Sequence, residues 1–358
     1  MKLDTAAFRA AIRLVDFVPY RPGIHPSEFI GMSAGKNGLE FRLASDLVGV
    51  SYVPLPGGAE KLPPKFFFDR LQLVPFVNGL DEAKPFDLEF SDGAVVIRQG
   101  SRKARYSALG ASHSYPNAEA PSGDGVVLDE ALLGEVKLAS NYAGRATMAP
   151  ELMAVWFEPS LGGVCATDRF SIYYAEVKLK AKAVIFPAAM ADAYEPGLQI
   201  AMGESSVCLK SPSGLLFQTL TEPMLKKFPL ASIRPYAQAL KKFEPVLTFK
   251  RGQLPEALTR MRLCLPSAAS EMASVEVSSV GTGKLRFHTR ASQVELTETV
   301  KYEGASDIKA EWLLSSVLPF LASLQEDEDV QVSWEASSPY VFRAVKSRRV
   351  LVSARRSG

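Results

Sequence analysis

Of the side chains that could do covalent or acid–base chemistry, few stand in a useful pattern. The three histidines, His25, His113 and His288, are scattered near loops or strands, and none belongs to an HExxH-type metal motif. Cys165, Cys208 and Cys264 are spaced 43 and 56 residues apart, which matches neither a zinc site nor a redox CxxC pair. Their odd number and wide spacing point to reduced thiols in a cytoplasmic setting. Cys165 sits in an apolar stretch and reads as a small buried residue, not a nucleophile. No GxSxG, P-loop or GxGxxG run occurs. Asp46 and Asp168 lie 122 residues apart, as do Asp168 and Arg290, so the two carboxylates occupy equivalent positions of a repeat. An aspartate at such a place closes a strand turn. These patterns disfavour an enzyme, and neither cofactor nor metal is expected.

The elements that carry these residues repeat three times. Amphipathic helices are predicted near residues 4–17, 129–143 and 253–265, with Phe8, Ile12 and Val15, then Leu132, Val136 and Ala139, then Leu254, Leu258, Met261 and Leu265 on their apolar stripes. Asp4 and Asp129 are expected N-caps. Strands follow each helix at Leu39–Leu43, Gly163–Ala166 and Leu285–His288, and then at Val48–Leu55, Ile172–Leu179 and Val294–Tyr302. Second helices are predicted over Lys65–Val74, Ala188–Tyr194 and Ala310–Leu324. Paired strands close each unit at Phe86–Leu109, Leu198–Leu220 and Val330–Arg355. Pro116–Gly125 and Pro229–Pro245 read as linkers, giving domains 1–120, 121–244 and 245–358. The fold class is therefore α+β, with two helices packed on antiparallel sheets in each domain. Exposed sheet edges would let such domains pair into one continuous sheet.

Composition agrees with a folded chain. The 358 residues are 47% hydrophobic and 22% charged, and 41 basic against 39 acidic residues leave a formal charge of +2. A nucleic-acid partner would have to meet a local basic patch. No transmembrane run or signal peptide is read.

Ala166-Thr167-Asp168 at a strand end, Arg21-Pro22, Lys65-Phe66-Phe67-Phe68-Asp69, Arg105-Tyr106-Ser107 and Lys227-Phe228-Pro229 fall in the order and spacing of a known family. The chain resembles, over essentially its full length, the bacterial DNA polymerase III β-subunit, the sliding clamp. The resemblance implies three arc-forming clamp domains, closed as a head-to-tail homodimer into a ring around double-stranded DNA. It implies a cytoplasmic, nucleoid-associated processivity factor without catalysis, opened by a clamp loader, that tethers DNA polymerase and other replication or repair proteins. A monomeric peptide-binding adaptor with the same fold is the alternative.

The resemblance also implies sites. Sequence-independent phosphate contacts fall to Arg21 and Arg145 first, then Arg9, Arg13, Arg70 and Lys137, with Lys241, Lys242, Arg260 and Arg262 as further choices. The acidic run Glu326–Asp329 would be a solvated loop away from the DNA. A partner-peptide pocket would use Leu152, Thr167, Phe170, Ser171, Ile172, Pro229, Ile233, Arg234, Ser338 and Tyr340, with Val352, Ser353, Ala354 and Arg355. Here the chain departs from the family. Arg169-Phe170-Ser171-Ile172 stands where a Gly-His-Arg-Leu run is common, and the C-terminus lacks a Met-Pro-Met-Arg-like ending, so the pocket is reshaped. The dimer interface would join Arg105, Tyr106 and Ala108 to Cys264 and Leu265, with ordinary packing inside each domain as the competing role.

Overall fold

A computed structural model describes residues 2–15, 28–35, 38–44, 48–51, 65–91, 93–107, 125–144, 149–203, 206–211, 214–220, 222–238, 240, 242–265, 273–291, 294–335 and 338–354. Among these, one order of elements occurs three times. The first pass is β1 (Lys2–Leu3), α1 (Thr5–Val15), β2 (Phe29–Gly35), β3 (Gly38–Ala44), β4 (Val48–Ser51), β5 (Lys65–Asp69), α2 (Arg70–Asn78), β6 (Phe86–Ser91), β7 (Ala94–Gln99) and β8 (Arg102–Ser107). The second is β9 (Val126–Val127), α3 (Glu130–Ser140), β10 (Ala154–Glu158), β11 (Gly163–Thr167), β12 (Ser171–Glu176), β13 (Val184–Pro187), a 3₁₀ helix at Ala188–Ala193, β14 (Gln199–Met202), β15 (Ser206–Ser211) and β16 (Gly214–Thr219). Two further helices, α4 (Glu222–Lys226) and α5 (Leu230–Gln238), come before the third pass. That pass is β17 (Leu247–Lys250), α6 (Leu254–Leu263), β18 (Ser274–Ser279), β19 (Lys284–Ala291), β20 (Val294–Gly304), β21 (Lys309–Leu313), α7 (Leu314–Ala322), β22 (Asp329–Ser333), β23 (Tyr340–Ala344) and β24 (Arg349–Ser353).

Each pass makes two four-stranded antiparallel sheets, and the sheets of successive passes join. Contacts group the chain into two compact units. The first holds residues 1–129 and 192–221. In it, β1-β6-β7-β8 stands as a sheet, and β5-β2-β3-β4 continues through β4–β16 pairing into β16-β15-β14-β9. The second unit holds residues 130–191 and 222–358. In it, β13-β10-β11-β12 continues through β12–β24 pairing into β24-β23-β22-β17, and β17 then meets β20 of β20-β19-β18-β21. The joining rule is the same in both units: the fourth strand of one pass pairs with the eighth strand of the next.

The helices form where apolar stripes recur. Phe8, Ala11 and Ile12 of α1 are buried, and Asp4 caps the helix by accepting from Ala7 N at 2.7 Å. Leu132, Leu133, Val136 and Ala139 of α3, and Leu254, Leu258 and Met261 of α6, are likewise buried.

Two second helices begin later than their sequence suggests. Lys65–Asp69 and Lys309–Leu313 are strands, paired with β2 and β18. Three consecutive phenylalanines, Phe66 to Phe68, are all buried, as suits a strand covered on both faces. The cap of α2 is Asp69, whose carboxylate accepts from Leu71 N at 2.8 Å. The stretch read as a second linker contains α5, whose Ile233 is wholly buried. The stretch read as the first linker, up to residue 124, lies outside the described residues. In the acidic run Glu326–Asp329, Glu328 is buried and accepts from Ser347 N at 2.7 Å and Ser347 Oγ at 2.9 Å, so it pins the β23–β24 turn.

Candidate functional site

The surface singled out for partner binding lies in the second unit, around the β11–β12 turn. Asp168 shapes that turn: its carboxylate accepts from Phe170 N at 2.9 Å and Ser171 N at 2.6 Å. Thr167 Oγ1 donates to Ser171 O at 2.7 Å and accepts from Arg169 N at 3.2 Å. Arg169 takes a left-handed φ of 76°, which brings the chain round in so few residues. Phe170 is left at the tip with 54% of its surface exposed, and its carbonyl accepts from Ala354 N at 2.8 Å just past β24.

Register divides the residues of this region between two faces. Directly paired residues of an antiparallel sheet share a face, and neighbours along a strand alternate. Ser171, Ser353 and Tyr340 are paired across β12, β24 and β23. All three are buried. Their face packs on α3 and α7: Ser171 Oγ lies 2.6 Å from Ser316 Oγ, and Tyr173 OH donates to Glu135 Oε2 at 2.7 Å. Arg349 Nε donates to the two Glu135 oxygens at 3.0 and 3.1 Å, tying α3 to β24. Tyr142 stacks on Tyr173 with centroids 5.1 Å apart and donates to Ser316 O at 2.9 Å.

The other face carries Thr167, Ile172 and Val352, which the ladder also pairs in register. Helix α5 packs on β12 and β24, with Ile233 buried and Pro229 half-buried at its start. Thr167, Ile172, Val352, Ala354, Ile233, Pro229 and Phe170 therefore come together. Ser171, Tyr340 and Ser353 lie beneath them on the opposite face. Leu152 is buried in the 3₁₀ turn Pro150–Leu152, where α4 packs, and Ser338 is half-buried ahead of β23. Arg234 is exposed on α5, and Arg355 lies outside the described residues.

The basic candidates separate in the same way. Arg13 and Lys137 are exposed and have no ion-pair partner among the described residues. Arg9 is engaged, 3.0 Å from Glu82 Oε1 and 2.7 Å from Asn78 O. Arg70 is buried at the first position of α2, so its guanidinium is not presented to a polyanion. Arg260 is held 2.6 Å from Glu298, Lys242 is exposed and Arg262 half-buried. Arg21, Arg145 and Lys241 lie outside the described residues.

On β8, Arg105 is exposed, while Tyr106 turns inward against Phe68 and Phe76 at 5.6 and 6.1 Å, and burial pushes its hydroxyl up to about 12. Cys264 and Leu265 are half-buried at the end of α6. Leu263 beside them is 79% exposed, a feature its place in an amphipathic helix does not announce. Ala108 lies outside the described residues. Cys165 is buried, as its apolar neighbourhood suggests, and burial drives its thiol far above the ordinary range. No group of three His, Cys, Asp or Glu side chains able to hold a metal occurs among the described residues. No helix among them is long and apolar enough to cross a membrane.

No protein-family model matches the sequence, and no curated protein matches it either. Solved structures do match. The DNA polymerase III subunit β of Pseudomonas aeruginosa superimposes with a TM-score of 0.79 at 15% identity, covering all of both chains. The DNA polymerase sliding clamp of Bacillus subtilis gives 0.78 at 15% identity, over 100% of this chain and 98% of that one. The DNA polymerase III β subunit of Thermotoga maritima gives 0.78 at 16% identity, over 100% and 99%. The chain therefore has the sliding-clamp fold from end to end, kept at an identity too low for ordinary sequence comparison.

Proposed function

We propose that this chain is a DNA sliding clamp, a non-catalytic processivity factor of three clamp domains (1–120, 121–244 and 245–358) that encircles duplex DNA as a head-to-tail homodimer. The observation that carries the reading is the joining rule of the sheets. Fourth strand meets eighth strand at β4–β16 and again at β12–β24. The same rule applied once more leaves β20 without its eighth strand and β8 without its fourth. A second copy supplies both, so two heterologous contacts close a ring. The edges are complementary in charge: Arg102, Lys103 and Arg105 are exposed on β8, while β20 carries Glu295 and Glu298.

In this reading Arg13, Lys137, Arg21 and Arg145 hold DNA through phosphate contacts that carry no sequence information. A loose, salt-screened grip suits a ring that must move along the duplex. The surface built from Thr167, Phe170, Ile172, Ile233, Val352 and Ala354 takes a short peptide from a polymerase or another replication protein. Tethering raises the effective concentration of that enzyme at the primer end. A loader protein opens the ring.

The test is topological. Protein loaded on a nicked circular duplex by a bacterial clamp loader should stay bound through gel filtration and leave when the circle is cut. Reversing Arg21 and Arg145 should lower loading, most at low salt where screening is weakest, without changing the melting temperature. Equal loss from circular and cut DNA would overturn encirclement, and a monomer at every dilution would leave the peptide-binding adaptor as the reading.

A further inference from the structure

A second site lies at the far end of β12 from the Asp168 turn. A cavity of about 600 Å³ opens there, walled by Gly162, Tyr174 and Glu176 on one side and by Arg234 and Gln238 of α5 on the other, with Arg348 at its edge. Arg348 pairs with Glu176, and Glu176 N donates to Arg348 O at 3.2 Å. Arg234 has no ion-pair partner among the described residues and is exposed. Val177 also lines the cavity and donates to Gly162 O at 3.0 Å. From it the chain runs on as Lys178-Leu179-Lys180-Ala181-Lys182. Burial alternates along this run: Val177, Leu179 and Ala181 are half-buried, and Lys178, Lys180 and Lys182 are exposed. None of the three lysines has an ion-pair partner among the described residues. Arg234 and Arg348 thus line the cavity together with Glu176, and the three lysines follow directly on Val177 of its wall, on a chain whose formal charge is only +2.

We propose that this cavity and the lysine run form a docking site for an acidic peptide segment of a partner protein. Complementary charge selects the partner's sign, and an unpaired cation has no ion pair of its own to give up on binding. The rest of the site favours peptide over nucleic acid. Glu176 and Gln238 offer acceptors that a peptide backbone can meet with N–H groups, whereas a phosphate backbone supplies acceptors only. Tyr174 is buried, so the cavity presents no exposed ring on which a single strand's bases could stack. The site lies at the other end of β12 from the Thr167–Ile172 surface and shares α5 with it, Arg234 of that helix lining this cavity, and it does not depend on ring closure.

The test is fluorescence anisotropy with the full chain and a fluorescein-labelled peptide of alternating glutamate and threonine, beside its glutamine counterpart. The glutamate peptide should bind saturably at low salt and the glutamine peptide should not. K178E/K180E/K182E should weaken binding by about tenfold or more, and R234A by a smaller factor, with unchanged melting curves. K178Q/K180Q/K182Q should fall between wild type and the reversal. K284E/K301E, which changes exposed lysines on β19 and β20, should leave binding as it was. Equal affinity for the two peptides, no effect of the triple substitution, or an equal effect of K284E/K301E would overturn the site; the lysines would then be solvated surface charges only. A thymidine oligonucleotide or short duplex that bound more tightly and was lost in the triple variant would overturn it in favour of nucleic acid.

Discussion

Among the described residues, Cys165 and Cys208 are buried and Asp168 is spent on geometry. Desolvation raises both thiols, Cys208 to about 11 from an ordinary value of 9.0. A thiol whose folded pKa is raised contributes stability that is whole below the unfolded value and fades as pH climbs through the folded one. For Cys208 that decline lies between about pH 9 and pH 11. At pH 8 both thiols stay protonated and covered, while Cys264 is partly exposed. A thiol reagent should therefore label one cysteine per native chain at pH 8, and three after denaturation. Rapid native labelling of Cys165, read by peptide mass, would contradict its burial. Asp168 is spent in another way, on two backbone N–H groups of a turn. Its equivalence to Asp46 by spacing already marks it as structural, and the hydrogen bonds agree.

At the scale of elements, the β11–β12 hairpin is where small changes should cost most. A Cβ on Gly163 would lie 2.2 Å from Ala175 O and 2.7 Å from the Tyr174 ring. Both neighbours belong to the middle of the sheet, and the closest atom is backbone. Gly163→Ala should destabilise the chain by about 1–3 kcal/mol, seen as a lower urea midpoint with an unchanged slope. Gly134→Ala on α3 meets nothing within 4 Å and should be neutral or stabilising by comparison. Much of this architecture is legible in the sequence. Helix periodicity in α1, α3 and α6 survives because each helix buries a single stripe. The threefold order shows because Asp46, Asp168 and Arg290 keep a constant spacing. Strand β5 is misread as a helix start because a brief apolar run has no period of its own when both faces are covered; β21, Lys309-Ala310-Glu311-Trp312-Leu313, is misread because Lys, Ala, Glu and Leu are good helix formers and it runs straight into α7. Helix α5 is hidden by Pro229, Pro235 and Pro245, which read as a linker. The division of the partner surface between two sheet faces could not be read at all, because it depends on which strands pair across more than 170 residues.

For the whole molecule, the decisive quantity is what happens at the edge of β8 and along the part of β20 before Tyr302, which β17 leaves uncovered. An exposed edge strand is a hazard unless a partner takes it. Strand β8 alternates exposed and half-buried residues, and its exposed positions include Arg102 and Arg105. On β20, Glu298 is bridged to Arg260 at 2.6 Å, and Glu295 lies 3.6 Å from His288. Arg260 would have to share Glu298 with β8 of a second copy, so the ring would gain little net affinity from charge and much of its register. R102E/K103E/R105E should accordingly convert a dimer of about 78 kDa, twice the 38.9 kDa chain, into a monomer by light scattering. E295K/E298K should do the same from the other edge. Combining the two sets restores opposite charges across the contact while leaving each protomer's own pairs broken, so the combined variant should dimerise again. A combined variant that stays monomeric, with both parental sets folded, would place the contact away from β8 and β20 and break the joining rule at its third use.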